Sequence, residues 1–232
     1  MTAGKEEIME PIGYIRSDFG TKFGVPRQSG VAPQLESRII FNERYRAQQA
    51  FRGLEQFSHI WILWEFSLSK ESKISLTVRP PRLGGNARVG VFASRSPFRP
   101  NHIGLSSVRL VGIEHDETLG TVLVVSGADM ADGTPVIDIK PYLPYTDCHP
   151  EASGGYTETL SNAELEVRFE NAAEAALDGE MKEKLIRVLS LDPRPSYQDD
   201  PDRVYGMEFG GYDIKFMVNG GVVTVCGVAR DI

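Results

Sequence analysis

Short runs of β-branched and aromatic residues, separated by turn residues, fill the first two thirds of the chain. The clearest runs are residues 8–17, 59–66, 74–79, 88–94, 105–114 and 121–130. Strands at this spacing, without helical periodicity between them, predict a β-barrel or sandwich rather than a doubly wound sheet. One helix is predicted over 42–52, where good helix formers are followed by Gly53.

The last third of the chain has a mixed pattern. Residues 148–162 are polar and rich in turn formers, which predicts a linker. Beyond it, 164–170 alternates like a strand and 171–191 has the composition of a helix. An Asn-Gly-Gly turn between 212–218 and 222–229 predicts a β-hairpin.

These patterns together predict a mainly β protein in two parts. The first is an N-terminal β-barrel domain over residues 1–150, and the second is a small α+β C-terminal domain over residues 160–232. A chain of 232 residues with 41% hydrophobic residues can bury a core without disulfide or metal cross-links. The two cysteines, Cys148 and Cys226, favour a reducing, cytoplasmic location.

The charge is unevenly distributed along the chain. The formal net charge of −7 by itself argues against a nucleic-acid partner. However, residues 1–150 hold 17 basic and 16 acidic residues, whereas residues 151–232 hold 8 and 16. No acidic residue lies between Glu71 and Glu114, and that interval contains seven basic ones. They are Lys73, Arg79, Arg82, Arg88, Arg95, Arg99 and Arg109.

The densest candidate for recognition chemistry is the arginine-rich segment 79–110. Around Arg95 and Arg99, two prolines restrict the backbone and Phe98 adds an aromatic ring. Guanidinium groups on a restricted backbone suit a carboxylate, a phosphate or a base edge. A solvated basic face of a barrel remains the alternative interpretation.

A second candidate is a group of carboxylates. Asp129, Asp132 and Asp138 are close enough in sequence to bind a ribose diol or an ammonium group, or to act as a base, although a simple tight turn explains the same residues. Asp138, Lys140 and Tyr142 fall on one face of an extended strand.

Several common site types are excluded by the sequence. No two glycines have Gly-x-Gly spacing and no phosphate-binding loop motif is present, which disfavours a nucleotide cofactor with phosphates. The histidines and cysteines have no metal-ligand spacing, so no metal is predicted. Ser96 and Ser106 lack the Gly-x-Ser-x-Gly elbow of a hydrolase nucleophile.

Four segments in this order resemble one protein family. Residues 12–30, 57–63, 78–110 and 132–147 are similar to the TrmO (TsaA-like) tRNA methyltransferases, and LDPRPSY at 191–197 is similar to their two-domain bacterial members. The resemblance implies that the β-barrel binds S-adenosylmethionine. It also implies an enzyme, a homodimer with its active site near the interface, that methylates N6 of N6-threonylcarbamoyladenosine at position 37 of threonine tRNA.

The resemblance also implies which residues contact the cofactor. By position in the family's motifs they are Pro26, Arg27, Gln28, Ser67, Leu68, Arg95, Leu105, Asp129, Met130, Ala131 and Asp132. For catalysis we predict that Arg99 and Asn101 hold the threonylcarbamoyl group, with Asp138 or Tyr142 assisting proton removal. The competing hypothesis is a non-enzymatic β-barrel that binds an adenosine-containing small ligand or RNA.

Overall fold

The computed structural model describes residues 9–69, 74–80, 83, 87–159, 163–194 and 200–230. In chain order the strands are β1 (Gly13–Arg16), β2 (Glu36–Phe41), β3 (His59–Glu65), β4 (Thr77–Val78), β5 (Val89–Gly90), β6 (Ile103–Asp116), β7 (Gly120–Ser126), β8 (Pro135–Pro141), β9 (Glu166–Phe169), β10 (Tyr205–Phe209), β11 (Tyr212–Asn219) and β12 (Val222–Arg230). The α-helices are α1 (Pro144–Asp147), α2 (Asn171–Ala175) and α3 (Gly179–Ser190). The prediction of a mainly β protein is confirmed.

Six of these strands close into a barrel in the order β1-β2-β7-β6-β3-β8. All six neighbouring pairs are antiparallel. The alternation in β3 explains its place there, because Ile60, Ile62 and Trp64 are buried inside while the residues between them face outward. With Val108 and Leu123 they belong to the barrel core.

The predicted helix over 42–52 is wrong. The structure has 3-10 turns there, at Glu43–Tyr45 and Gln48–Phe51, and Ala47 between them is extended with φ −69° and ψ 132°. Phe51 packs edge-on against Phe41 of β2, with ring centroids 4.7 Å apart. Burying this ring in the barrel core outweighs the helix propensity of the segment.

Two other predicted elements are shorter than expected. The run 74–79 forms only β4, and 88–94 forms β5 followed by a 3-10 turn at Val91–Ala93. Strands β4 and β5 pair with each other as a separate two-stranded sheet outside the barrel. Strand β2, which the sequence pattern did not reveal, takes a place in the barrel between β1 and β7.

The C-terminal part is a four-stranded sheet of order β10-β11-β12-β9 with α2 and α3. The hairpin of β11 and β12 is confirmed, with Asn219 opposite Val222. The predicted helix over 171–191 is instead two helices. The second, α3, begins where the side chain of Asp178 accepts a hydrogen bond of 2.8 Å from the amide of Met181, an N-cap that restarts the helix.

The core of the C-terminal part includes residues from the N-terminal segment. Phe19, Ala32 and Leu35 are buried in the same cluster as Leu185 and Phe216. The stretch between β1 and β2 therefore lies against the C-terminal sheet and helix while both its ends enter the barrel. The predicted domain bounds, 1–150 and 160–232, stay a prediction.

Among the described residues, no helix is long and apolar enough to cross a membrane. The same residues contain no group of His, Cys, Asp and Glu side chains suited to a metal ion.

Candidate active site

One end of the barrel gathers residues from distant parts of the sequence. Strands β1, β3 and β7 end there, and β2, β6 and β8 begin there, as the antiparallel pairing requires. We call this end the rim. Its loops carry Gln28, Arg95 and Asp129, which the sequence analysis predicted as cofactor contacts.

Asp129 follows β7 and is held by a short hydrogen-bonded chain. The hydroxyl of Ser106 donates to its Oδ1 at 2.5 Å, and the indole Nε1 of Trp64 donates to the Ser106 hydroxyl at 2.9 Å. Burial raises the pKa of the Asp129 carboxyl above its usual value, while the Ser106 hydrogen bond and the Arg95 charge lower it. The rim therefore contains an oriented, half-buried carboxylate.

Trp64 can take part in this series of hydrogen bonds only because Gly104 has no side chain. A Cβ at Gly104 would lie 2.2 Å from the Trp64 ring. The indole therefore lies directly on the backbone of β6, with its nitrogen at Ser106 two residues further along.

The loop 22–30 faces Asp129 across the rim. Arg95 donates a hydrogen bond to the side-chain oxygen of Gln28. At the end of the loop, the amide of Gly30 donates to the carbonyl of Gly127 at 2.9 Å. The structure thus brings Gln28, Arg95 and Asp129 together, although they come from three separate segments.

Arg27 does not point toward the rim. Its Nη2 donates to the carbonyl oxygens of Asp192 at 3.0 Å and of Arg194 at 2.7 Å, both in the C-terminal part. Pro26, beside it, is buried. The predicted contact of Arg27 with the cofactor remains a prediction, and the side chain is already engaged elsewhere.

Asp132 closes the turn before β8. Its Oδ2 pairs with the guanidinium of Arg16 at 2.8 Å, and its Oδ1 accepts from the amide of Ser17 at 3.1 Å. Met130 and Ala131, between the two carboxylates, are buried. Asp129 is therefore the carboxylate of this run that the barrel interior orients, and Asp132 joins β1 to the turn.

Exposed apolar side chains lie next to the rim. Leu105 near the start of β6 is 54% exposed, and Leu68, in the 3-10 turn Ser67–Ser69 after β3, is 56% exposed. Exposed leucines at the mouth of a barrel offer a surface for a flat apolar ring.

Arg99 and Asn101 lie in the turn before β6. Arg99 Nη1 donates to the carbonyl of Ser94 at 3.2 Å, and Asn101 is exposed. The turn is shaped by His102, which has a φ of +49° and whose Nδ1 lies 2.8 Å from the Pro97 carbonyl oxygen. His102 therefore has a conformational role. Arg99 and Asn101, the residues predicted to bind the substrate, are partly exposed and exposed.

Asp138 and Tyr142 lie on the outer wall of the barrel. Asp138 is opposite Leu63 of β3 and pairs with Lys140 at 2.9 Å. The amide of Tyr142 donates to the carbonyl of His59 at 3.0 Å, so Tyr142 lies at the far end of β3, about 20 Å from the rim at ~3.3 Å per residue. The structure does not bring Tyr142 to the rim of its own chain.

Sequence reasoning missed the part that Ser106 and Trp64 play in the site. Ser106 was considered only as a nucleophile, yet it orients Asp129. A signal was present, because Ser106 is the one polar residue among the inward positions Gly104, Ser106, Val108 and Leu110 of β6. A polar side chain on the inner face of a barrel must have a hydrogen-bond partner.

Two family models match the chain. Residues 14–148 match the tRNA-methyltransferase O N-terminal domain, and residues 162–231 match the TrmO C-terminal domain. The chain belongs to the TrmO family. The resemblance drawn from its motifs is confirmed.

Curated relatives match the chain over about 90% of its length, which supports its membership of the TrmO family. The chain is 41% identical to a tRNA (adenine(37)-N6)-methyltransferase of Escherichia coli over 90% of its own length and 92% of that protein. It is 42% identical to a putative S-adenosylmethionine-dependent methyltransferase of Pseudomonas aeruginosa, over 90% and 91%. A crystal structure of TrmO from Pseudomonas aeruginosa superimposes with a TM-score of 0.77 and 33% identity, over 97% of this chain and 99% of that one.

Proposed function

We propose that this TrmO-family protein is a tRNA methyltransferase. It transfers a methyl group from S-adenosylmethionine to N6 of N6-threonylcarbamoyladenosine at position 37 of threonine tRNA. The observation that carries the proposal is the oriented, half-buried Asp129 carboxylate at the rim, with the Arg95–Gln28 pair beside it. Arg95 itself belongs to the arginine-rich segment 79–110, which has no acidic residue.

The rim residues fit S-adenosylmethionine in their chemistry. Asp129 suits the ribose hydroxyls or the ammonium group, because a carboxylate accepts hydrogen bonds from either. Leu68 and Leu105 provide apolar surface for the adenine ring. The guanidinium of Arg95 is bonded to Gln28, so this positive charge is held on the loop side.

Of the other predicted contacts, Pro26, Ser67 and the buried run Met130–Ala131 shape the rim with their backbone. Asp132 supports it through Arg16. S-adenosylmethionine has no phosphate group, so its binding agrees with the missing glycine-rich loop.

When bound, S-adenosylmethionine supplies an electrophilic methyl group on a sulfonium. The protein's main contribution would be to position the acceptor nitrogen against that methyl group. Arg99 and Asn101 hold the threonyl carboxylate and the urea-like carbonyl, and the basic residues around them bind flanking phosphates. The acceptor nitrogen loses its proton during the transfer.

Asp138 and Tyr142 are the proposed groups for that proton. Burial, with Cys148 and Asp147 nearby, raises the pKa of the Tyr142 hydroxyl above its usual 10.0. Tyr142 is therefore a protonated phenol at neutral pH and serves as a hydrogen-bond partner, while Asp138 is the group able to accept a proton.

Both side chains lie on the outer barrel wall, so their participation requires a second copy of the chain. We propose a homodimer in which the outer wall of one protomer contributes to the rim of its partner. This site would lose activity on dilution, and light scattering at matched concentrations would show dissociation over the same range. Activity that is constant per protomer down to the monomer would contradict the shared site.

We place the protein in the cytoplasm, where tRNA is modified. The two cysteines are free thiols in the structure, which suits a reducing compartment.

Methyl transfer from labelled S-adenosylmethionine tests the proposed function. Threonine tRNA with the threonylcarbamoyl group is compared with the same tRNA lacking it, at equal protein and salt concentrations. Label is expected in the modified tRNA alone. Equal labelling of both would overturn the substrate, and calorimetric binding of S-adenosylmethionine without transfer to either would favour the non-enzymatic barrel.

A further inference from the structure

The loop 22–30 has contacts on two sides. One side reaches the rim through Gln28 and Gly30, as described above. The other side lies against the C-terminal sheet, with the ring of Phe23 stacked on Phe216 at 6.5 Å and an interplanar angle of 18°. The loop is thus held between the proposed cofactor site and a part of the chain nearly two hundred residues away.

Gly24 shows how close this packing is. Its φ is +91°, and a Cβ at this position would lie 2.1 Å from the Sδ of Met207 in β10. The loop backbone therefore rests directly on a buried side chain of the C-terminal sheet. A glycine is needed both for the left-handed backbone and for the close approach.

The C-terminal partner of Arg27 is the turn 191–194, the described part of the LDPRPSY motif. Asp192 has a φ of +50°, which is uncommon for a residue with a side chain. The turn is fixed by two hydrogen bonds between the guanidinium of Arg194 and the carboxylate of Asp192, at 2.8 and 3.0 Å. The carbonyl oxygens of both residues are thereby directed at Arg27.

We propose that the turn 191–194, through its hydrogen bonds with Arg27, positions the loop 22–30 for cofactor binding. The inference rests on the proposed function, because it assigns Arg27 as a positioning residue for S-adenosylmethionine binding. Fixing Arg27 places the next residue, Gln28, on Arg95, and the same loop bonds through Gly30 to Gly127, two residues before Asp129. The C-terminal part thus contributes to the rim through the far side of the loop 22–30.

A side chain that donates two charge-assisted hydrogen bonds gives a measurable effect when it is removed. We expect Arg27→Met to raise the Kd for S-adenosylmethionine about tenfold, because the loop 22–30 loses both hydrogen bonds to the turn and must be ordered when the ligand binds. Arg27→Lys restores part of the affinity, because both hydrogen bonds come from one nitrogen, which an ammonium can replace.

Asp192→Asn tests the turn itself. Asparagine has the same size and tolerates a positive φ, but it removes the ion pair with Arg194. We expect a smaller rise in Kd than with Arg27→Met. The double variant is expected to match Arg27→Met alone, because both changes act through one contact.

Arg168→Met is the matched control. It breaks another two-bond pair between an arginine and a carboxylate in the C-terminal part, that of Arg168 with Glu166 on β9. The full-length variants are compared by calorimetry with S-adenosylmethionine, by thermal unfolding, and by hydrogen–deuterium exchange of residues 22–30 without ligand. Faster exchange in that segment is expected for Arg27→Met and Asp192→Asn, and no change for Arg168→Met.

The three measurements separate the possible failures. A lower Tm with an unchanged Kd would overturn the positioning role and leave a purely structural contact. Unchanged exchange of residues 22–30 in both variants would overturn the anchoring of the loop. A wild-type protein that does not bind S-adenosylmethionine would overturn the proposed function, while the exchange data would still decide whether the turn holds the loop.

Discussion

At the scale of single residues, the Asp129 carboxylate carries a cost in stability. Burial raises its pKa above 3.8, so the folded protein binds a proton more tightly than the unfolded chain does. The favourable contribution of this tighter proton binding to the stability of the fold is fully present below about pH 4. It is lost as the pH rises through the folded pKa. A group kept charged at this cost is typical of a functional site.

Asp129→Asn is therefore expected to raise Tm at pH 7 relative to the wild type, and to change it little at about pH 4. The same variant loses affinity for S-adenosylmethionine, because the amide has no negative charge. Thermal unfolding at the two pH values, with calorimetry at pH 7, checks both effects. An equal difference in Tm at both pH values would contradict the raised pKa.

Ser106→Ala is expected to make S-adenosylmethionine binding more sensitive to acid. The Ser106 hydrogen bond lowers the pKa of Asp129, so its removal lets that pKa rise further. The loss of affinity should be at most about tenfold and should become smaller as the pH rises. Ser107→Ala, the next residue on the outer face of β6, is the control. A loss that is the same at every pH would contradict the account.

The sequence indicated the acidic and basic residues of the site better than the residues that hold them in place. Asp129 and Arg95 lie in segments of unusual composition, and the family motifs include them. The roles of Arg27 and Ser106 depend on partners 165 and 23 residues away. Such pairings are set by the register of the barrel and by the packing of the C-terminal part, which one sequence does not specify.

At the scale of elements, the loop 22–30 depends on its close contact with β10. Gly24→Ala is expected to lower the Tm more than Gly30→Ala does. Both residues have positive φ, for which an alanine costs about 1–2 kcal/mol, but only the Gly24 Cβ would collide with Met207. Thermal unfolding of the two variants checks this. A larger loss for Gly30→Ala would contradict the packing of the loop on the sheet.

The pattern of β-branched and aromatic runs between turn residues identified the strands that became β3, β6, β7 and the C-terminal hairpin. It failed where tertiary contacts outweigh local preference. The segment 42–52 forms 3-10 turns because Phe51 is buried, and 171–191 is interrupted because Asp178 caps a new helix. Element bounds thus depended on burial and capping, which the pattern of residue types shows only in part.

At the scale of the whole molecule, the distribution of charge matters more than its sum. The net charge of −7 comes from the C-terminal part, while the arginine-rich segment beside the rim has no acidic residue. An acidic protein can therefore present a local basic surface to RNA. The sequence alone predicted this division, since it needs only the order of the charges along the chain.

Arg88→Gln, at an exposed basic residue of the same segment, is expected to weaken tRNA binding and to reduce the slope of log affinity against log salt concentration by about one, because one phosphate is no longer neutralised by the protein. Arg203→Gln, a change of equal charge in the acidic C-terminal part, should alter neither. Binding measured at several salt concentrations checks this. Equal effects of the two variants would show that net charge, rather than the basic segment, governs binding.

The proposed activity of this protein is the transfer of a methyl group to one nitrogen of one modified nucleoside. Its most direct test is mass spectrometry of nucleosides from threonine tRNA after incubation with the protein and S-adenosylmethionine. We expect threonylcarbamoyladenosine to gain one methyl group on N6, and Asp129→Asn protein at the same concentration to leave it unmethylated. A methyl group on any other nucleoside, or none with the wild-type protein, would contradict it.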